Sequence, residues 1–145
     1  MSQREAPSRR TEYTRFHAIQ PLWNHLDAFG HVNNAEFYAY FDTAIVALLI
    51  EIGALTVRGG ALAALVVESG ARYHREVFFG DVLSVGVAIA RLGTSSIHYR
   101  IGVFRNDETE AAVDGHFVHV VVDRTDHRPT PIPPEVRAAL EALRA

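Results

Sequence analysis

Asp27-Ala28-Phe29-Gly30-His31-Val32-Asn33-Asn34 runs directly into the apolar stretch Phe37-Tyr38-Ala39-Tyr40-Phe41. Beyond it, apolar residues recur at Phe37, Phe41, Ala44, Ile45, Leu48, Leu49 and Ile52, which is helical spacing and predicts a helix over 33–52. Asn33 stands where an N-cap belongs, and Gly53 where a helix-ending glycine belongs. Tyr38, Tyr40 and Ala47 carry apolar surface onto the remaining faces, and a helix apolar nearly all round is a buried one. The sequence therefore places a carboxylate, Asp27, in a glycine-bearing turn just before a helix N-terminus. That end of a helix offers unpaired backbone N–H groups and a partial positive charge, a setting that holds anions, including the transient oxyanion of acyl transfer.

Working outward, Tyr13 to Leu22 reads as a first strand ended near Pro21, and residues 1–12 as a disordered or loosely attached tail. After a Gly59-Gly60 link come four long β-type runs: Leu62 to Tyr73, Asp81 to Leu92, Ser95 to Arg105 and Ala111 to Asp123. The third alternates, with Ile97, Tyr99, Ile101 and Val103 on one face and His98, Arg100 and Gly102 on the other. Gly80-Asp81, Leu92-Gly93-Thr94 and Asn106-Asp107-Glu108 are short turns. A Pro-rich segment, Arg128 to Pro134, leads into a short helix over Glu135 to Leu143. Strand, long apolar helix, then an antiparallel meander is an α+β order, and its simplest packing wraps a curved sheet around the helix. Residues 13–145 read as a single domain.

Composition narrows function. With 48% hydrophobic and 21% charged residues, the chain can bury a sizeable core. A net charge of −3 gives no electrostatic footprint for nucleic acid. All 14 basic residues are Arg, a side chain suited to bidentate phosphate contacts. With no cysteine, there is no disulfide, thiolate metal site or Cys nucleophile. The 8 His are scattered without ligand spacing, and His116 and His119, three apart on a strand, point to opposite faces. No metal is expected. The longest apolar run, Ala44 to Ile50, is too short to span a bilayer, and a cytoplasmic protein is the default expectation.

These residues resemble a known family, the hotdog-fold acyl-CoA thioesterases of the 4-hydroxybenzoyl-CoA thioesterase type. The likeness lies first in Asp27, Gly30-His31-Val32-Asn33-Asn34, Tyr38 and Phe41. It continues in Tyr73, Val77, Gly80-Asp81, Val85 and Leu92-Gly93-Thr94-Ser95-Ser96. It closes with Asp123, Arg128-Pro129, Pro131-Ile132-Pro133 and Val136. The resemblance implies a five-stranded sheet around the helix, homodimers with a continuous sheet, often homotetramers, and active sites at the dimer interface. The substrate would be an acyl-CoA, with coenzyme A as part of it and no separate cofactor, nucleic acid or membrane partner.

By position Asp27 matches the family's catalytic carboxylate, either attacking the thioester carbonyl or acting as general base on water. A thiol leaving group resembles Cys, with a reference pKa of about 8.5, so it departs as thiolate without a strict need for a general acid. The oxyanion donor corresponds to the backbone N–H of Asn34, helped by Asn33. His31 either orients Asp27 or fixes the loop. Phe29 and Tyr38 would line the acyl pocket, with Trp23, Phe37 and Phe41 as further aromatic candidates. Glu68 would line the site from a partner subunit or serve as a structural acceptor. Thr94, Ser95 and Ser96 would contact the pantetheine arm. Arg72, Arg75, Arg91 and Arg128 are the candidates for the coenzyme A phosphates; the turn at Gly93-Thr94-Ser95 lacks the basic residues that relatives often carry there.

Two other functions fit the same residues. A hotdog hydratase or dehydratase would use an acid/base pair such as Asp27 with His31 and leave the thioester intact. A non-catalytic acyl-CoA-binding protein would bind ligand without turnover.

Overall fold

The computed structural model describes residues 5–56, 58 and 62–144; the Gly59-Gly60 link lies outside them. Five strands form one antiparallel sheet in the order β1-β3-β4-β5-β2. They are β1 (Arg15–Ile19), β2 (Ala64–Tyr73), β3 (Leu83–Leu92), β4 (Ser96–Arg105) and β5 (Val113–Val121), with α1 (Glu36–Glu51) between β1 and β2 and α2 (Pro134–Glu141) at the end. The sheet curves around α1, which is the hotdog fold. No described helix is long and apolar enough to cross a membrane.

The inward face of β4 carries the alternation expected from its sequence. Ile97, Tyr99, Ile101 and Val103 are all buried. They join Phe41, Ile45, Leu48 and Leu49 of α1 and Phe117 of β5 in one core. The fit of helix to sheet is tightest at Gly115. A Cβ there would stand 2.2 Å from the Gly70 carbonyl oxygen and 2.7 Å from the Phe41 ring. His116 and His119 do face opposite ways. His119 is buried beneath α1, 3.3 Å from the Tyr99 hydroxyl, while His116 meets Glu68 on the outer face at 3.1 Å.

α1 ends in a Schellman motif. Gly53 adopts φ +80°, its N–H bonds the Ile50 carbonyl at 3.0 Å, and the Ala54 N–H bonds the Leu49 carbonyl at 2.8 Å.

Three expectations need correction. α1 is not buried all round: Tyr38, Val46 and Ile50 are exposed and Tyr40, assigned to an outer face, is buried, because the sheet covers only one side of the helix. The helix starts later than expected, with Ala35 rather than Asn33 at the N-cap. The described part of the N-terminal segment is not loosely attached. The Arg10 N–H bonds the Thr109 carbonyl at 2.9 Å, the Ser8 N–H bonds the Asp114 carboxylate at 2.8 Å, and Tyr13 is buried edge-on to Phe104. Sequence pattern misses such a segment because its anchors are backbone groups and one aromatic ring, which have no periodicity.

β2 is a free edge. Among the described residues it pairs only with β5, and Leu65, Val66 and Val67 on it are 46%, 49% and 59% exposed. An apolar edge of this length invites pairing with another strand.

Two outcomes follow. Gly115→Ala is expected to lower unfolding stability by about 1–3 kcal/mol, read from denaturant melts, because the added methyl must displace Phe41 or strand β2. Burial pushes the pKa of His119 below its ordinary 6.5, against a weaker opposing pull from Asp42. The folded state thus holds His119 neutral where the unfolded chain protonates it, so stability is full above pH 6.5 and falls as pH drops below it. His119→Gln is expected to flatten that part of the Tm-versus-pH curve between pH about 6.5 and 5.

Candidate active site

The turn that carries Asp27 is a small closed hairpin. A 3-10 turn at Trp23–His25 brings the chain in. Leu26 then bridges Val32, the Asp27 N–H bonds the His31 carbonyl at 2.9 Å, and the Asn33 N–H bonds the His25 carbonyl at 2.9 Å. Gly30 sits at the tip with φ +85°, a conformation glycine adopts without steric cost. The hairpin is tied to the connection between β2 and β3 by the Val32 N–H, which bonds the Val77 carbonyl at 2.7 Å.

The Asp27 carboxylate is turned back into this hairpin and its side chain is only 17% exposed. Oδ1 accepts the Phe29 N–H at 2.9 Å, and Oδ2 lies 3.4 Å from His31 Nδ1. That ring nitrogen is also 3.3 Å from the Val32 carbonyl oxygen, which places a proton on Nδ1. The opposite nitrogen, Nε2, faces Glu76 at 3.9 Å. Phe29 stacks on the His31 ring.

Asn33 is held at three atoms. Its N–H is committed to His25, its carbonyl accepts the Glu36 N–H at 3.0 Å, and its side-chain Oδ1 accepts the Ala35 N–H at 3.0 Å. In a trans peptide the N–H points opposite to the carbonyl. With the Asn33 carbonyl turned toward α1, the Asn34 N–H is turned away from it, and it donates to no group among the described residues. The Asn34 carbonyl accepts the Tyr73 hydroxyl at 3.0 Å. Asp27, His31 and Asn34 line one cavity of about 400 Å³ with Phe29, Phe37 and Tyr73. Val32 and Val77 add to its apolar wall, and the polar residues His74, Arg75 and Glu76 complete the lining.

Of the other substrate-binding candidates read from the sequence, Arg75 alone lines this cavity, and it is paired with Glu108 at 3.5 Å and Glu110 at 3.3 Å. Tyr38 does not line it directly; partly exposed on α1, it meets the Tyr73 side chain, which does. Glu68 does not either, since it lies on the outer face with His116. Arg72 pairs with Glu5 and Asp114. The remaining candidates lie at the opposite end of the sheet. Tyr73, paired with Val113, marks the Asp27 end, while β3 and β4 join through Thr94 and Ser95 at the other. Ten residues of strand separate the two ends, about 30 Å. Ser96, Arg91 and Arg128 belong to that far end, where Arg137 of α2 reaches the Gly93 and Thr94 carbonyls. Within one chain the far-end set cannot share a substrate's thioester with Asp27.

His25 and the His74–Asp114 pair carry no signal in the sequence, and Tyr40 and Tyr73, though noted there, show no site role until the fold brings them together. His74 Nε2 is 3.1 Å from Asp114, both side chains 5% exposed. Burial acts to raise the Asp114 pKa, but the Ser8 N–H, His74 and Arg72 outweigh it and hold the carboxyl below its usual range. Tyr40, Tyr73 and His74 meet their partners 15, 39 and 40 residues away in sequence and leave no local signal.

A family model for the thioesterase-like superfamily matches residues 21–140. The chain belongs to that superfamily. No functionally curated protein matches it. Among solved structures it is similar to the PA5185 protein of Pseudomonas aeruginosa, at 42% identity and TM-score 0.91 over 97% of this chain and 98% of that one. It is also similar to a Thermus thermophilus thioesterase solved with coenzyme A and zinc, at 28% identity and TM-score 0.76 over 88% and 98% of the two chains. A 1,4-dihydroxy-2-naphthoyl-CoA thioesterase from Synechocystis shares the fold, with 16% identity and TM-score 0.79 over 89% and 96% of the chains.

Asn33→Ala is expected to cost about 1 kcal/mol of stability by freeing the Ala35 N–H, and Asn33→Asp to retain most of it, as measured by thermal melts.

Proposed function

We propose that this thioesterase-superfamily protein hydrolyses an acyl-CoA to a free carboxylic acid and coenzyme A, with Asp27 as the reacting carboxylate and the Asn34 N–H as oxyanion donor. The observation that carries this reading is that Asp27 and Asn34 line one cavity: a fixed carboxylate and a residue whose backbone N–H donates to no group among the described residues. Thioester hydrolysis needs little more. Asp27 either adds to the carbonyl carbon, expelling coenzyme A thiolate and leaving a mixed anhydride for water to open, or takes a proton from an attacking water. In both routes the carbonyl oxygen becomes an anion as the tetrahedral centre forms, and a preorganised N–H stabilises it without reorganising at that moment. His31, between Asp27 and Glu76, holds the carboxylate in place. Phe29, Phe37 and Tyr73 would face the acyl group.

We infer further that the working unit is a homodimer, alone or within a homotetramer. Two copies related by a two-fold axis can join their β2 edges only antiparallel. In that arrangement the Tyr73 end of one copy, beside Asp27, meets the Ala64 end of the other. Ala64 pairs with Val121, whose N–H bonds the Ser95 carbonyl, so the partner's far-end turn comes toward the cavity. The apolar exposure of Leu65, Val66 and Val67 supports this edge as the joint. Thr94, Ser95, Ser96, Arg91 and Arg128 would then serve the coenzyme A moiety bound to the other copy's Asp27. The acyl class of the 4-hydroxybenzoyl-CoA type, an aromatic acyl group, fits the aromatic lining.

The test is thiol release from a panel of aromatic and aliphatic acyl-CoAs. Release by the wild type, with a loss of at least about 100-fold in Asp27→Asn, is the expected result. Thioesters altered at the carbons beside the carbonyl with no thiol released would instead make the protein a hydratase. Binding without any turnover would make it a sensor.

A further inference from the structure

His25 joins the two halves of the site. Its carbonyl accepts the Asn33 N–H at 2.9 Å, closing the base of the hairpin that carries Asp27. Its ring is anchored to the first turns of α1: Nδ1 is 2.8 Å from the Tyr40 hydroxyl, and Nε2 is 3.9 Å from Glu36, one helical turn before Tyr40. The Leu22 N–H also donates to Nδ1 at 3.2 Å, so Nδ1 is the unprotonated, accepting nitrogen and the Tyr40 hydroxyl donates to it. Tyr40 is buried, and burial together with Glu36 pushes its pKa up to about 12, so it stays a hydroxyl donor.

We propose that His25, held by the Tyr40 hydroxyl, is a positioning residue for thioester hydrolysis: it sets the distance between the Asp27 carboxylate and the Asn34 N–H. The proposal rests on the assignment of those two groups given above. The hairpin carries Asp27, and α1 with Asn33 carries the oxyanion donor. The Asn33 N–H is the bond that joins them directly, and the His25 ring is the side chain that fixes that bond relative to the helix. Without the Tyr40–His25 hydrogen bond, the hairpin can shift on the helix while both reacting groups remain present. Shifts of about 1 Å between reacting groups are enough to cost up to 100-fold in rate.

The experiment measures kcat and KM for the acyl-CoA that the wild type turns over fastest. The variants are Tyr40→Phe, His25→Phe, His25→Asn and the double variant Tyr40→Phe/His25→Phe, assayed well below each variant's Tm. Tyr40→Phe keeps the buried ring and removes only the hydroxyl. His25→Asn supplies an oxygen near the place of Nδ1. Expected are a fall of about 10-fold in kcat with KM within about twofold for both Phe variants, recovery to within about threefold of wild type in His25→Asn, and a double variant no slower than the worse single one. Unchanged kcat with only a lowered Tm, a rise in KM in place of the fall in kcat, additive losses, or no recovery in His25→Asn would each overturn the proposal. Absent wild-type turnover, or turnover that survives Asp27→Asn, removes the assignment on which it rests. Loss of turnover in Asp27→Asn with wild-type kcat in Tyr40→Phe removes this proposal alone.

Discussion

The apolar stripe of α1, with Phe41, Ile45, Leu48 and Leu49 set into the hollow of the sheet, is the contact from which the remaining geometry follows. Each of these side chains gains about 1.5–3 kcal/mol from burial. The close approach at Gly115 fixes how near the Phe41 ring lies to β5 and β2. Once the stripe is seated, the N-terminus of the helix points to one end of the sheet, beside Tyr73 and Val77. The hairpin from Trp23 to Asn33 has no apolar core of its own. It is stable because the helix start, the Val77 carbonyl and the Tyr73 hydroxyl receive it.

That dependence explains the chemistry of the site. A carboxylate in a free turn would be hydrated and mobile. Here Asp27 is folded back onto the Phe29 N–H and His31, and the peptide between Asn33 and Asn34 is clamped with its N–H outward. The donor is part of the backbone, so its direction is held by three hydrogen bonds at Asn33 rather than by a rotamer. A preformed donor of this kind suits a reaction in which negative charge appears on oxygen only transiently. The same construction places the site at one end of the sheet and the turn with Thr94 and Ser95 at the other, and the apolar β2 edge runs between them.

Much of this was legible in the residues. The alternation of Ile97, Tyr99, Ile101 and Val103 foretold the inner face of β4, since a strand's side chains point to opposite sides with period two. The spacing from Phe37 to Leu49 foretold the buried stripe of α1, and Gly53 its C-terminal turn. The helix start was read too early, because Asn33 bonds the Ala35 N–H in a turn that precedes the helix, and a turn of this kind looks like a cap in sequence. Tyr38 and Tyr40 both fit the pattern of apolar helix residues, but only the packing of the sheet decides which one is covered. The described part of the N-terminal segment, polar and Arg-bearing, carried no periodic signal, yet Asp114 and Thr109 hold it to the outer face.

The sequence by itself determined the order of elements, the buried faces of the strands and the helix, and the juxtaposition of Asp27 with a helix start, because these depend on neighbours within a few residues. Only the tertiary structure decided that the Asn34 N–H donates to no group among the described residues, that His25 and Tyr40 brace the hairpin, and that Thr94 to Ser96 lie at the opposite end of the sheet from Asp27 in the same chain. Those facts are contacts and separations between residues distant along the chain. They are set when the helix seats in the sheet, and no local pattern of residue types encodes them.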